Sequence, residues 1–208
     1  MGSAVAETIP PKGEVLIPHD AEPRPVTAVR NTVLQGSLTL LRHSDLYDRY
    51  AKLVDPAVLH EISTNVTPCW VPIDVADAHY GACDAMMLSS EELTSLGRAS
   101  GELARKTSIV VAQPDANAAF DLWQNAPRMH RVWKRLYQGG SVQIVKLGHA
   151  EELIEFRGFS LHRHRYYRYG CLAAIRSAHE SVGLQMKVVK IAWHDPSTND
   201  VTVHLAWT

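Results

Sequence analysis

Residues 125–140, Asn-Ala-Pro-Arg-Met-His-Arg-Val-Trp-Lys-Arg-Leu-Tyr-Gln-Gly-Gly, open the stretch that decides the fold. Met129, Val132, Trp133, Leu136 and Tyr137 recur at helical spacing and make one apolar stripe. Pro127 suits a first helical turn, and Gly139-Gly140 suits a left-handed stop. Two β-prone runs follow, Ser141–Leu147 and Glu152–Phe159, with Gly148 at the turn. The spacing then predicts a helix over about 163–182, where Tyr167, Cys171, Ala174, Ile175, Ala178 and Val182 share a face. Lys187–Trp193 and Val201–Trp207 read as two more strands. The last alternates cleanly, with Val201, Val203, Leu205 and Trp207 on one side. The expected fold is α+β: a helical N-terminal part, then helix, hairpin, helix and hairpin, giving a four-stranded antiparallel sheet with helices mainly on one face.

Working outward, residues 1–25 hold five prolines and little that could build a core. They read as a Pro-rich N-terminal tail, with Val15-Leu16-Ile17 as its docking anchor. Residues 26–208 then read as a single α+β domain. Within it, Asp45–Leu53 and Asp55–Ile62 read as short helices, each opened by an aspartate suited to N-capping, the second with Pro56 at its first position. A helix is expected over Val71–Met87, with Ile73, Ala76, Tyr80, Cys83 and Met87 as its buried series. Ser89 and Glu92 have the spacing of a capping box for the helix that follows. Ser108–Ala112 reads as a short strand and Asp115–Gln124 as a further helix.

The 46% apolar and 21% charged residues are those of an ordinary soluble globular chain, and a formal net charge of −1 gives no electrostatic drive towards bulk nucleic acid or an anionic membrane. No apolar run approaches the roughly 20 residues of a spanning helix. Residues 1–11 lack the basic start and apolar centre of a secretory signal. Three cysteines without a C-x-x-C pair fit a reducing compartment, and cytoplasm is the expected location.

The sequence carries no recognisable catalytic motif. There is no G-x-S-x-G, and the glycines before Lys106-Thr107 are not spaced as a phosphate loop. A non-catalytic protein is expected. Cys69, His79 and Cys83, with Asp74, Asp77 and Asp84 nearby, are the one compact set of potential metal ligands. No recognised spacing completes a tetrahedral site there, so no metal is expected; a buried cysteine and an exposed histidine are the plainer reading. The densest basic run, His162-Arg163-His164-Arg165 with Arg168, falls at an expected helix N-terminus, where cations oppose the helix dipole and an anion is favoured. Arg163, His164, Arg165 and Arg168 are therefore candidates for an anion or an acidic patch on a partner. Leu172, on the same side as Arg168 and Arg176, suggests a contact surface.

The order of several short motifs resembles that of a myxobacterial paralogous family of uncharacterised proteins. They are Leu34-Gln35-Gly36-Ser37, Trp70 with Pro72, Leu96-Gly97-Arg98, Trp133-x-x-x-Tyr137-x-Gly139-Gly140 and the closing Ala206-Trp207. That family is similar in layout to the 4-vinyl reductase and haem nitric-oxide-binding sensor superfamily, whose members are often dimeric and place a ligand between helices and sheet. The resemblance implies a small-molecule-sensing or protein-interaction domain in signalling or regulation. Trp133, Tyr137, Tyr167 and Cys171 would line a small apolar pocket, and self-association or a protein partner is implied. Two alternatives stand beside it: an assembly component that docks by its N-terminal tail, and a haem-bound gas sensor. Some relatives carry cysteines in the last hairpin; Lys187–Thr208 has none, and the resemblance assigns no haem histidine, so no cofactor is expected.

Overall fold

The computed structural model describes residues 13–65, 68–106 and 122–208. The strand expected over 108–112 and residues 115–121 of the helix expected over 115–124 lie outside them.

The sheet has five strands rather than four. In spatial order they are β1 (Glu14–Ile17), β5 (Ser141–Gly148), β6 (Glu151–Arg157), β8 (Val201–Trp207) and β7 (Met186–His194), each antiparallel to its neighbours. The extra strand comes from the Pro-rich segment. Val15 lies opposite Val145 and Ile17 opposite Ile144. The chain beyond β1 stays on the sheet: His19 meets Ser141 Oγ at 3.0 Å and Glu155 at 3.3 Å, and Asp20 pairs with Lys134. Gly140 N–H then donates to Arg24 O at 2.7 Å, and Val26 N–H to Gly158 O at 2.8 Å. Residues 14–26, the described end of the segment read as a tail, are thus docked on their own chain.

One face of the sheet is dry because β8 alternates as its sequence does. Val201, Val203, Leu205 and Trp207 are buried, opposite Phe156, Ile154 and Glu152 of β6. The same alternation forces Glu152 into the core. His179 on α7 (Arg165–Ser181) meets it there at 2.8 Å and donates from its other ring nitrogen to Ile175 O. Leaving either group unpaired at that depth would cost several kcal/mol, about 3–5 for a broken buried pair.

α7 lies over this face with Tyr167, Cys171, Ile175 and His179 inward. Ala174, expected in that stripe, is exposed; α7 turns Ala173 instead toward α5 (Ser90–Lys106), which covers a second side of the helix. A Cβ on Gly97 of α5 would stand 3.1 Å from that of Ala173, so only a small residue permits this approach. Ser89 and Glu92 form the expected capping box, with backbone-to-side-chain bonds of 2.6 and 3.1 Å.

α6 (Leu122–Leu136) begins before Pro127, which therefore sits inside the helix. It ends at Leu136, one residue before Tyr137. Tyr137–Gln138 form β4, a two-residue strand that pairs with β2 (Ala28–Arg30), and β3 (Trp70–Pro72) pairs with β2 on its other side. This small second sheet ties the start of the helical half to the end of α6.

The helical half contains α1 (Asn31–His43), α2 (Tyr47–Ala51), α3 (Pro56–Thr64) and α4 (Ile73–Ala85). Asp55 caps α3 as expected, accepting Ala57 N–H at 2.8 Å. Asp45 does not cap α2. It takes a left-handed φ of 56° in the turn before that helix. α4 stops earlier than its periodicity predicts. Met87 adopts φ 54° and is 83% exposed, while Met86 fills the core position in its place.

Candidate functional site

Four helices meet around His79. Its imidazole is completely buried, against the expectation of a surface histidine. Nδ1 lies 2.6 Å from the Tyr50 hydroxyl of α2, and Nε2 lies 2.9 Å from Ser37 Oγ of α1. Ser37 in turn reaches the Tyr166 hydroxyl of α7 at 3.4 Å, and Cys83 Sγ stands 3.9 Å from Nε2. The result is a polar chain, Tyr50–His79–Ser37–Tyr166, inside an otherwise apolar interior. Burial, reinforced by the nearby His164 charge, lowers the imidazole pKa to about 3, so the ring is neutral. A hydroxyl at each nitrogen can donate or accept, so either tautomer is satisfied.

Tyr80, on the next residue of α4, links this chain to the sheet. Its ring meets His79 edge-on at 4.8 Å and Tyr167 edge-on at 5.0 Å. Beyond it lies an aromatic wall. Tyr167 donates its hydroxyl to Tyr137 at 2.9 Å, and Trp133 stacks on Tyr137 at 5.8 Å and meets Phe156 at 5.0 Å. Phe159 closes on Tyr137 at 5.3 Å. Of the four expected pocket residues, Tyr137 therefore touches both Trp133 and Tyr167. Cys171 lies one turn along α7 from Tyr167, close enough for a charge on its sulfur to be felt at both phenols. Burial pushes its thiol up to about 12 and keeps it protonated. Burial likewise raises the phenols of Tyr50, Tyr80, Tyr137 and Tyr167, so these four hydroxyls and the Cys171 thiol are uncharged near neutrality.

The basic run turns back onto α4. Asp84 accepts the backbone N–H of Arg165 at 2.9 Å and of Tyr166 at 2.8 Å, so a carboxylate of the chain itself occupies the N-terminus of α7. His164 lies between Asp77 at 2.8 Å and Asp84 at 3.5 Å. Burial alone would lower its pKa, but hydrogen bonds and charge from the two aspartates outweigh burial and leave it raised. Arg163 pairs with Asp77. Arg165 donates to Leu88 O at 2.9 Å and Ser90 Oγ at 2.6 Å, and Arg168 donates to the carbonyls of His162 and Arg163. Leu172 lines a surface groove of about 500 Å³ between α5, α7 and β7, alongside Leu93, Arg98, Arg176 and Val189.

Among the described residues, no group of three His, Cys, Asp or Glu side chains could hold a metal ion. No described helix is long and apolar enough to cross a membrane. His79 and Cys83 were visible in the sequence as an i, i+4 pair. Tyr50 and Ser37 were not, because nothing local marks a tyrosine or serine as the partner of a histidine on another helix.

No family model matches the chain, and no curated protein matches it, so the paralogous family suggested by the motif order is not shown. The fold does have solved counterparts, and they are H-NOX domains. An oxygen-binding H-NOX domain related to soluble guanylate cyclases, in its oxygen complex, superposes with a TM-score of 0.55 at 12% identity, covering 86% of this chain and 94% of that one. An H-NOX structure solved to probe haem distortion gives 0.56 at 14% identity over 86% and 94%. A Cs H-NOX mutant carrying an unnatural cyano-phenylalanine gives 0.54 at 13% identity over 86% and 96%. At such identities the likeness establishes the H-NOX-like fold, and residue roles do not transfer.

Proposed function

We propose that this chain is a non-catalytic sensor-type domain that binds a small apolar or amphipathic molecule between its helical half and its sheet, and that acts in signalling or regulation. The observation that carries the reading is the Tyr50–His79–Ser37–Tyr166 chain at the meeting point of four helices, on a fold shared with small-molecule sensors. A few convergent polar groups in an apolar wall are what fixes the orientation of a bound small molecule. Trp133, Tyr137, Tyr167 and Cys171 supply that wall on the sheet side. Entry of a ligand there separates Tyr80 from Tyr167, and so alters the seat of α7 on α4. A sensor needs such a coupling between occupancy and helix position.

Haem is the group named for one of the structural neighbours. No residue of this chain is assigned to hold it, and no step is routed through it.

The test is extraction of the purified chain with organic solvent, followed by mass spectrometry of the extract. A single small molecule recovered in proportion to wild-type protein, and absent from a folded Tyr167→Ala variant, supports the reading. An extract free of any stoichiometric molecule contradicts it.

A further inference from the structure

We propose that the groove between α5, α7 and β7 is a binding site for an aliphatic carboxylate, separate from the helix–sheet interior and independent of the sensor reading above. Its volume of about 500 Å³ is that of a small-molecule site. Leu93, Tyr169, Leu172 and Val189 give it an apolar lining. Leu93 is part of the core, and the other three are half-buried and packed against it. Gly97 and Ala173 also line the groove, so α5 and α7 approach there without a long side chain to fill it. From Tyr169 to Glu180 the groove follows α7 for roughly 16 Å, an elongated shape that suits an extended alkyl chain.

The charges of the lining select the head of the ligand. Glu180 is the carboxylate among the lining residues, and Arg176 already pairs with it at 3.3 Å while donating to Met186 O at 3.2 Å. Arg98 is exposed and has no hydrogen bond or ion pair among the described residues. The Arg165 guanidinium lies 5.7 Å over the Tyr169 ring and donates to two neutral groups, the Leu88 carbonyl and the Ser90 hydroxyl. The groove and its rim therefore carry net positive charge, and the fork of Arg98 matches a carboxylate in shape.

Ser177 adds a second unused donor. It is 8% exposed, lines the groove, and its hydroxyl bonds to no group among the described residues. Buried hydroxyls ordinarily have a partner, and an acceptor lying in the groove supplies one here. The two requirements together define the ligand. An alcohol of the same chain length covers the apolar lining but leaves Arg98 without a counter-charge. A short anion such as acetate meets Arg98 but leaves Leu172 and Val189 uncovered.

The experiment is calorimetric titration of the full chain with hexanoate, octanoate and decanoate, and with octanol and acetate for comparison. The expected result is saturable one-to-one binding that tightens about fourfold per added methylene. Octanol should bind about threefold to tenfold more weakly than octanoate. Arg98→Gln should remove that difference and Arg98→Lys should keep part of it. Leu172→Glu, at a half-exposed position, should abolish binding while the circular dichroism and melting temperature stay those of the wild type. No saturable binding of decanoate overturns the proposal, as does acetate binding as tightly as octanoate. Affinity unchanged in both Arg98→Gln and Leu172→Glu also overturns it; if that binding is lost in Tyr167→Ala, the ligand sits in the interior instead. Failure of the sensor reading is seen separately, as an extract of the purified chain without any stoichiometric molecule, and leaves these titrations unaffected.

Discussion

Asp84 of α4 and Tyr166 of α7 are joined by a side-chain-to-backbone hydrogen bond of 2.8 Å, and through it one helix caps another. The residue before α7, His164, offers no side-chain cap of its own. The carboxylate arrives instead from α4 and also takes the Arg165 N–H. Replacing Asp84 with alanine is expected to destabilise the fold by about 1–2 kcal/mol, the usual worth of a lost N-cap. Asp84→Asn, which keeps an acceptor oxygen, is expected to lose less. Urea unfolding followed by circular dichroism measures both. Equal losses would show that the oxygen acts by charge alone.

The same junction titrates. His164 has a raised pKa, so its contribution to stability is complete below the ordinary value of 6.5 and disappears as pH rises through the raised one. Asp84 is lowered: burial opposes this, but hydrogen bonds from His164, Tyr166 and Arg165 prevail. Its contribution is complete above the ordinary 3.8 and disappears as pH falls through the lowered value. The stabilising effect of the junction is therefore greatest between those limits. Melting temperatures across pH should fall on the alkaline side, and Asp77→Asn with Asp84→Asn should remove that limb. An unchanged alkaline limb in the double variant would assign it to other groups.

His79 is expected to be the most sensitive polar position. His79→Ala leaves the Tyr50 hydroxyl unpaired and Ser37 with only Tyr166 in a dry interior, and opens a cavity, at a cost of about 2–5 kcal/mol. Tyr50→Phe leaves one imidazole nitrogen unpaired, at about 1–3 kcal/mol. The two losses should not add, because each removes the same hydrogen bond; a coupling above about 0.5 kcal/mol is expected in a double-mutant cycle. Strict additivity would mean that the two groups are not bonded in solution.

Gly139 holds φ 86°, and a Cβ there would lie 2.2 Å from Pro25 O. Gly139→Ala is expected to destabilise by more than about 1 kcal/mol, through both backbone strain and displacement of the 24–26 segment. Loss of exchange protection at Gly140 N–H, which donates to Arg24 O, would show where the damage falls.

The parts of this fold that could be read from sequence are those whose signal is local. β8 is legible because burial alternates residue by residue, and the start of α5 because Ser89 and Glu92 satisfy each other's backbone. β1 is not, since four residues among prolines acquire strand character only from pairing with β5, far along the chain. Tyr137 looked helical because it continues the α6 stripe, yet its backbone pairs with Val29. The interior was half legible. The Trp133–Tyr137 contact follows from i, i+4 spacing, and Tyr167 follows from the α7 stripe. The His79 chain draws on three other helices, and its partners are ordinary residues in sequence. The cations before α7 gave no sign that Asp84, about eighty residues earlier, accepts the first N–H groups of that helix.

Native mass spectrometry of freshly purified chain, with an absorption spectrum of the same sample, tests the central claim most directly. The account predicts the chain mass increased by one small organic molecule, without a Soret band. A bare chain mass would contradict the sensor reading, and the mass of haem with its Soret band would replace the small organic ligand with a haem-bound sensor.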